Sequence, residues 1–129
     1  MVEIPIDQLE MLPPEYQQPY QQLKQRVEDL QETLIRSTDF STLKIAIAAL
    51  QTFFQTEIWN LSLQNLDPNL EHQVQSINVE IDKQLRLLNM DGLFLQAARQ
   101  ENTVKQRKQQ ASDRLLLLIQ YCNGLLGRQ

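Results

Sequence analysis

The side chains most able to do chemistry are few in this sequence and lie far apart. His72 is the only histidine and Cys122 the only cysteine. A Ser-His-Asp or Cys-His nucleophile system would have to use His72, which follows Glu71 on a polar stretch. Glu80 and Asp82 are two residues apart, a spacing that points them to different sides of a helix. Without a recognisable catalytic set, the sequence predicts a protein that is not an enzyme.

The same residue types argue against a bound metal, nucleotide or other cofactor. One cysteine and one histidine are too few for a structural zinc site, and the two Glu-x-x-His pairs of di-iron bundles are absent. The sequence also has no glycine-rich loop that could cradle a phosphate. We therefore expect no cofactor and no small-molecule substrate, and we expect Cys122 to lie in the core.

Charge and composition set further bounds on function. The net charge of −4 argues against nucleic acid as the main partner. The single cysteine, the acidic start MVEIPIDQLE and the lack of a long apolar run favour a cytoplasmic protein without membrane insertion. The charge is unevenly distributed, with 13 acids and 4 bases in residues 1–82 but 3 acids and 8 bases in residues 83–129.

The elements that carry these residues are predicted to be helices, because Leu and Gln are abundant and the chain has only 3 glycines and 5 prolines. Ser37–Asp39 offers an N-cap, Asp67-Pro68 is a strong start signal, and Glu101–Thr103 is the last expected break. Short connections favour an antiparallel four-helix bundle or long helical hairpins, with residues 1–11 as an N-terminal arm and 12–129 as one domain. The expected helices span about 14–36, 40–66, 68–99 and 104–126.

Each predicted helix carries one stripe of apolar residues, mostly at steps of three and four, which should face the core. Gly92 lies inside the third helix and is expected to allow close backbone packing, while Gly127 is expected to cap the fourth. The stripe residues are Tyr16, Tyr20, Leu23, Val27, Leu30 and Leu34; Leu43, Ile47, Leu50, Phe54, Ile58 and Leu61; Leu70, Val74, Ile77, Ile81, Leu85, Leu88 and Leu95; and Val104, Ala111, Leu115, Leu118, Cys122 and Leu125.

Two of the helices have a second apolar line. In the second helix this line lies opposite Phe54, and in the third it occupies the C-terminal half. Two interpretations stay open: both helices form the inner pair of the bundle and touch two neighbours each, or the lines form an exposed patch that binds a partner or a second copy. The principal residues are Ile45, Thr52, Trp59, Leu63, Leu87, Met90 and Phe94.

Basic residues gather late in the chain. Three of them stand near the expected start of the fourth helix, where cations oppose the positive end of the helix dipole. One end of the molecule is therefore expected to be electropositive, either as a solvated face or as a dock for an acidic protein segment. The residues are Arg86, Arg99, Lys105, Arg107, Lys108 and Arg114.

Several phrases of the sequence resemble one known family. LPPEYQQPYQQL at 12–23, LDPNL at 66–70, IDKQLRLLNMDGLFLQAARQ at 81–100 and DRLLLLIQYCNGLLG at 113–127 resemble the cyanobacterial heterocyst frequency control protein family, PatD. The resemblance covers nearly everything from Leu12 onward. It implies a small cytosolic regulator that limits the proportion of heterocysts, contacts the division protein FtsZ and modulates its assembly.

Two hypotheses about function follow. In the first, FtsZ docks electrostatically on the basic end, strengthened by the apolar line that ends in Phe94. In the second, the protein is a homodimeric helical scaffold or adaptor with another partner, and it self-associates through the second apolar line of helix two. The two hypotheses are compatible, because a dimer could bridge two FtsZ filaments.

Overall fold

The computed structural model describes residues 10–128, and within that range it contains helices and no strand, which confirms the all-α prediction. Residues 1–9, most of the predicted arm, lie outside the described residues. None of the helices within 10–128 is both long and apolar enough to cross a membrane. The helices are α1 (Gln17–Arg36), which follows a 3-10 turn at Pro14–Tyr16, α2 (Phe40–Phe54), which continues into a π-helical turn at Gln55–Trp59, α3 (Pro68–Ala97) and α4 (Glu101–Leu126).

Polar contacts between helices show that neighbours run antiparallel. The Gln96 side chain donates to the Ser41 hydroxyl at 3.0 Å, and Gln55 donates to Asp82 at 2.8 Å, so α2 and α3 run in opposite directions. Each helix packs against two neighbours: α1 packs against α4 and α2, and α3 packs against α2 and α4. The helices therefore form an antiparallel four-helix bundle in the ring order α1, α2, α3, α4.

Capping residues begin and end these helices as the sequence predicts. Asp39 accepts hydrogen bonds from the backbone N–H groups of Ser41 and Thr42 at 3.1 and 3.3 Å. The pKa of Asp39 is held below its ordinary value mainly by the hydrogen bond from the Thr42 hydroxyl and next by the bond from the Thr42 backbone N–H. Asp67 accepts from the Asn69 N–H, and Gly127 ends α4 in the left-handed conformation at φ 71°.

The predicted core stripes are buried almost throughout, with Leu61 and Val104 only partly so. Cys122 lies in the core, as expected. Gly92 lies where α3 comes closest to α2: a methyl group there would stand 3.1 Å from the Ile47 Cδ1 and 3.8 Å from the Lys44 Cα. Glycine therefore permits the close helix approach that the sequence suggests.

The predicted end of the second helix is wrong. Helical structure stops at Trp59, and residues 60–67 connect to α3 instead of continuing to Leu66. The Asn60 side chain donates to the Gln55 carbonyl at 3.1 Å, which satisfies a carbonyl in the π-helical turn as the chain leaves the helix. Leu66 is nevertheless buried, so the apolar periodicity beyond Trp59 belongs to a loop that packs on the core.

The predicted start of the fourth helix is also wrong, since α4 begins at Glu101 and the break covers residues 98–100. Glu101 is thus the acidic residue of the first turn, where a carboxylate suits the helix dipole. Lys105, Arg107 and Lys108 fall in the second turn, where the dipole effect has largely faded. The dipole therefore does not explain these three cations.

Candidate functional site

Asp91 is a buried carboxylate held between α3 and α4. The residue is only 1% exposed. Its Oδ2 accepts a hydrogen bond from the Arg114 Nε at 2.6 Å, and its Oδ1 lies 3.9 Å from the Arg107 Nη1. A buried carboxylate is costly unless it is paired and hydrogen-bonded, so these contacts fix the register of α3 against α4.

Arg107 joins this buried pair to the surface. Its guanidinium carbon lies 4.1 Å from the centre of the Phe94 ring, and its Nη1 donates to the Gln110 side chain at 3.1 Å. Phe94 itself is 43% exposed. The stacked ring and guanidinium present an apolar face edged with N–H donors, and both are held in place by other side chains.

Apolar side chains surround this stack. Met90 and Leu93 are each 50% exposed, and their spacing of three and four residues from one another and from Ala97 brings them to the outer side of α3 with Phe94. Exposed apolar side chains grouped in this way are typical of binding sites rather than of a solvated helix face. We define the Phe94 surface as this group together with three cations at the same end of the bundle: Met90, Leu93, Phe94, Arg99, Lys105 and Arg107.

The six predicted basic residues are only partly brought together. Arg99 is exposed in the α3–α4 connection and Lys105 is exposed on α4, so both lie at the same end of the bundle as Phe94. Lys105 is two residues from Arg107 and therefore points to a different side of α4. Lys108 donates to the Ser37 carbonyl at 3.1 Å, which supports the C-terminal end of α1. Arg86 pairs with Asp82 at 2.8 Å in the middle of α3.

Two of these six residues lie apart from the Phe94 surface. Arg86 stands 11 residues before the end of α3, about 16 Å along the helix axis. Arg114, with its side chain 25% exposed, pairs with the buried carboxylate of Asp91. The partner-binding role of all six residues stays a prediction.

The second apolar line of α2 is exposed, as the exposed-patch interpretation requires. Ile45 is 71% exposed, and Thr52 is exposed on the same outer side. Trp59 is 45% exposed, with its ring centre 5.9 Å from that of Phe54. On α3, Leu87 is half-buried between the exposed Met90 and the core.

Trp59 and Leu63 belong to a separate site at the opposite end of the bundle. They line a half-open cleft between the π-helical turn, the loop that follows it and the first half of α3. Ile45 lies 14 residues before Trp59, about 20 Å away along α2. The predicted apolar line is therefore split into two patches. The Trp59 cleft is lined by Trp59, Leu61, Leu63, Glu71, Gln75, Asn78 and Val79.

Sequence reasoning missed the residue on which the site is built. Asp91 is an acid within the largely apolar stretch from Leu85 to Ala98, and that placement was the available signal. Leu93 was also missed, because it falls between the two apolar lines of α3. The pairing of Asp91 with Arg114 depends on how α3 and α4 are aligned with each other. The spacing of apolar residues within a single helix gives no information on that alignment.

Taken together, these residues define a small antiparallel four-helix bundle with a mixed apolar and basic surface above a buried ion pair. The family model of the CRR41 C-terminal domain matches residues 24–123, and the chain belongs to that family. The matched segment includes all of the Phe94 surface. No curated protein and no solved structure matches the chain.

Proposed function

We propose that the protein is a non-catalytic regulator that binds a protein partner through the Phe94 surface, and that this partner is the division protein FtsZ. The observation that carries the proposal is the stacking of Arg107 on the exposed Phe94 ring at 4.1 Å, with the exposed Arg99 and Lys105 at the same end of the bundle. Aromatic residues and arginine are enriched in the buried centres of protein interfaces.

The geometry supports an acidic segment with some apolar side chains as the bound element. Carboxylates of such a segment would meet Arg99, Lys105 and Arg107, while its apolar side chains would cover Met90 and Phe94. Arg107 is already oriented by Phe94 and Gln110, so binding costs less side-chain entropy than it would for a free arginine.

The identity of the partner rests on the resemblance to the PatD family. That resemblance favours FtsZ, whose assembly the protein would modulate, and a role in tuning heterocyst frequency. It also favours a cytoplasmic location, with recruitment to the division site. Membership of the CRR41 C-terminal domain family does not by itself name a partner.

Co-sedimentation with GTP-assembled FtsZ from the same organism, over a salt series, tests the proposal. We expect the protein to pellet with FtsZ at low salt and to be released as salt rises, because exposed charges are screened. Binding that does not change with salt concentration would indicate that FtsZ contacts apolar faces away from the cations. Absence of binding at low salt would refute FtsZ as the partner.

A second candidate function is a self-associating scaffold or adaptor. The 45% exposure of Trp59 favours it, because tryptophan is enriched at the centres of protein interfaces, and Ile45, 71% exposed, is a second exposed apolar position about 20 Å away. Light scattering on a Trp59→Asp variant tests this candidate. We expect a folded protein of lower apparent mass than the wild type. An unchanged mass would exclude Trp59 from any self-contact.

A further inference from the structure

The two ends of the bundle carry opposite charge. One end, which we call the acidic end, is where the chain enters α1 and leaves α4: the Leu12 N–H donates to the Leu125 carbonyl at 2.8 Å. The Trp59 cleft lies at the same end, with Glu71 in its lining. The acidic end comprises residues 10–19, 55–71 and 123–128.

Carboxylates predominate at the acidic end. Among the described residues its charged side chains are five acids and one base. Glu57 and Asp67 are exposed before and after the loop that carries Leu61 and Leu63, and the cleft itself is lined by both apolar and polar side chains, among them Glu71. The charged residues are Glu10, Glu15, Glu57, Asp67, Glu71 and Arg128.

Cations predominate at the opposite end, which we call the basic end and which comprises residues 33–44 and 94–108. These segments meet where Lys108 donates to the Ser37 carbonyl and Gln96 donates to the Ser41 hydroxyl. Within the described chain this end holds six bases and two acids. They are Arg36, Lys44, Arg99, Lys105, Arg107 and Lys108, with Asp39 and Glu101.

We propose that copies of this chain associate head to tail, with the Phe94 surface of one copy against the Trp59 cleft of the next. The two sites complement each other in charge, and each offers an exposed aromatic side chain beside another apolar one: Phe94 with the exposed Met90 on one, and Trp59 with the partly buried Leu63 on the other. The 26 residues of α4 separate the two ends by about 39 Å, so one copy cannot join its own sites.

Like charges disfavour the symmetric alternatives. Two acidic ends, or two basic ends, would repel each other if they met, whereas unlike ends attract over about one Debye length. A head-to-tail contact does not close on itself in a pair, so it leads to chains of copies. This inference specifies the geometry of the scaffold candidate, and it requires no FtsZ.

The contact is expected to be weak and reversible. Two helix diameters of about 10 Å give the bundle an end face of about 400 Å². That is half of the roughly 800 Å² per partner that stable protein interfaces bury. Sedimentation velocity at low salt should therefore show an average mass that rises steadily with concentration and falls as salt is added. A mass fixed at one copy, or a plateau at two, would overturn the proposal.

A sharper experiment than the salt series reverses the charge of two side chains at one end of the bundle at a time. One variant, Arg99→Glu with Lys105→Glu, changes the basic end from six bases and two acids to four of each and so removes its net charge. The other, Glu57→Lys with Glu71→Lys, changes the acidic end from five acids and one base to three of each, with the same result. Each alone should stay a single copy at low salt, and an equimolar mixture should regain association. Recovery is expected only for head-to-tail contact, and a mixture that stays as single copies would contradict it.

Two readouts keep this test separate from folding and from FtsZ binding. Trp59 is the only tryptophan, so its emission should shift to shorter wavelength when the mixture forms and not in either variant alone. Circular dichroism verifies that both variants are folded. The Glu57→Lys/Glu71→Lys variant keeps the Phe94 surface, so FtsZ binding should survive in it if the proposed function holds, whatever happens to self-association.

Discussion

The Arg114 guanidinium lies 2.6 Å from the Asp91 carboxylate, joining α3 to α4 across 23 residues of sequence. Asp91 is almost fully buried, and the same carboxylate lies 3.9 Å from Arg107, which in turn stacks on Phe94. The ion pair inside the bundle thus supports the surface above it. We therefore expect stability and partner binding to be coupled through Asp91.

Loss of the Arg114 side chain should be much more damaging than loss of Arg86. Arg114→Gln leaves a buried carboxylate with only the more distant Arg107, so we expect unfolding free energy to fall by about 2–3 kcal/mol. Arg86→Gln removes an exposed pair with Asp82 and should cost less than about 1 kcal/mol. Urea denaturation of both variants compares them directly. Equal losses would show that Asp91 does not depend on its arginine.

Phe94 should matter for partner binding more than for folding. Phe94→Ala removes an exposed ring that stacks with Arg107, and we expect FtsZ affinity to fall by about tenfold, as for a central interface aromatic. Leu116→Ala is a matched control, because Leu116 is also half exposed but lies on α4 nine residues beyond Arg107. Co-sedimentation measures both. An equal effect of the two changes would exclude a specific role for Phe94.

The close approach at Gly92 predicts a coupled pair of substitutions. Gly92→Ala gains helix propensity of about 1 kcal/mol but brings a methyl group to 3.1 Å from the Ile47 Cδ1. Ile47→Val removes that carbon, at a cost of about 0.5–1.5 kcal/mol on its own. The unfolding free energy of the double variant should therefore be higher than the sum of the two single changes predicts. Strict additivity in thermal unfolding would show that the helices do not meet there.

Burial of Cys122 predicts both slow thiol chemistry and a loss of stability at high pH. Desolvation raises the pKa of the Cys122 thiol to about 12, against about 8.5 in an unfolded chain. Between these values the unfolded state releases the proton first, so this contribution to stability is constant below about pH 8.5 and declines as pH rises.

Two measurements check this prediction. Ellman's reagent should react with the native protein at pH 8 far more slowly than with the urea-unfolded chain. Cys122→Ala should flatten the decline of unfolding free energy between pH 9 and pH 11, where Tyr20, whose pKa burial also raises, still contributes. Rapid reaction of the native thiol would mean that α4 opens readily at this position.

The core of this fold was predictable because each helix repeats its apolar residues with helical spacing. Tyr20, Val27 and Leu34 of α1 are all buried as the spacing requires. The end of α2 was not predictable in the same way, since Leu61 and Leu66 continue the pattern while the chain has already left the helix. Apolar spacing reports which residues face the core, and it does not report whether the backbone between them is helical.

The candidate site was likewise predictable from the sequence only in part. The second apolar line with Met90 and Phe94 is visible in the sequence, but its spacing left open whether it faces a neighbouring helix or solvent; in the fold both side chains are exposed. The stacking of Arg107 on Phe94 and the engagement of Arg114 by Asp91 depend on how α3 and α4 are aligned. The six cations therefore form one group in the sequence, whereas in the fold they lie in four places: the Phe94 surface, the Ser37 carbonyl, Asp82 and Asp91.

The most direct test of the central claim compares two charge-reversed variants in FtsZ co-sedimentation at low salt. Arg99→Glu with Lys105→Glu reverses the two exposed cations of the Phe94 surface, and Lys83→Glu with Arg86→Glu makes the same net charge change in the middle of α3. We predict an affinity loss of about tenfold or more, 1.4 kcal/mol, for the first pair and a much smaller loss for the second. Equal losses, or none, would contradict docking at the Phe94 surface.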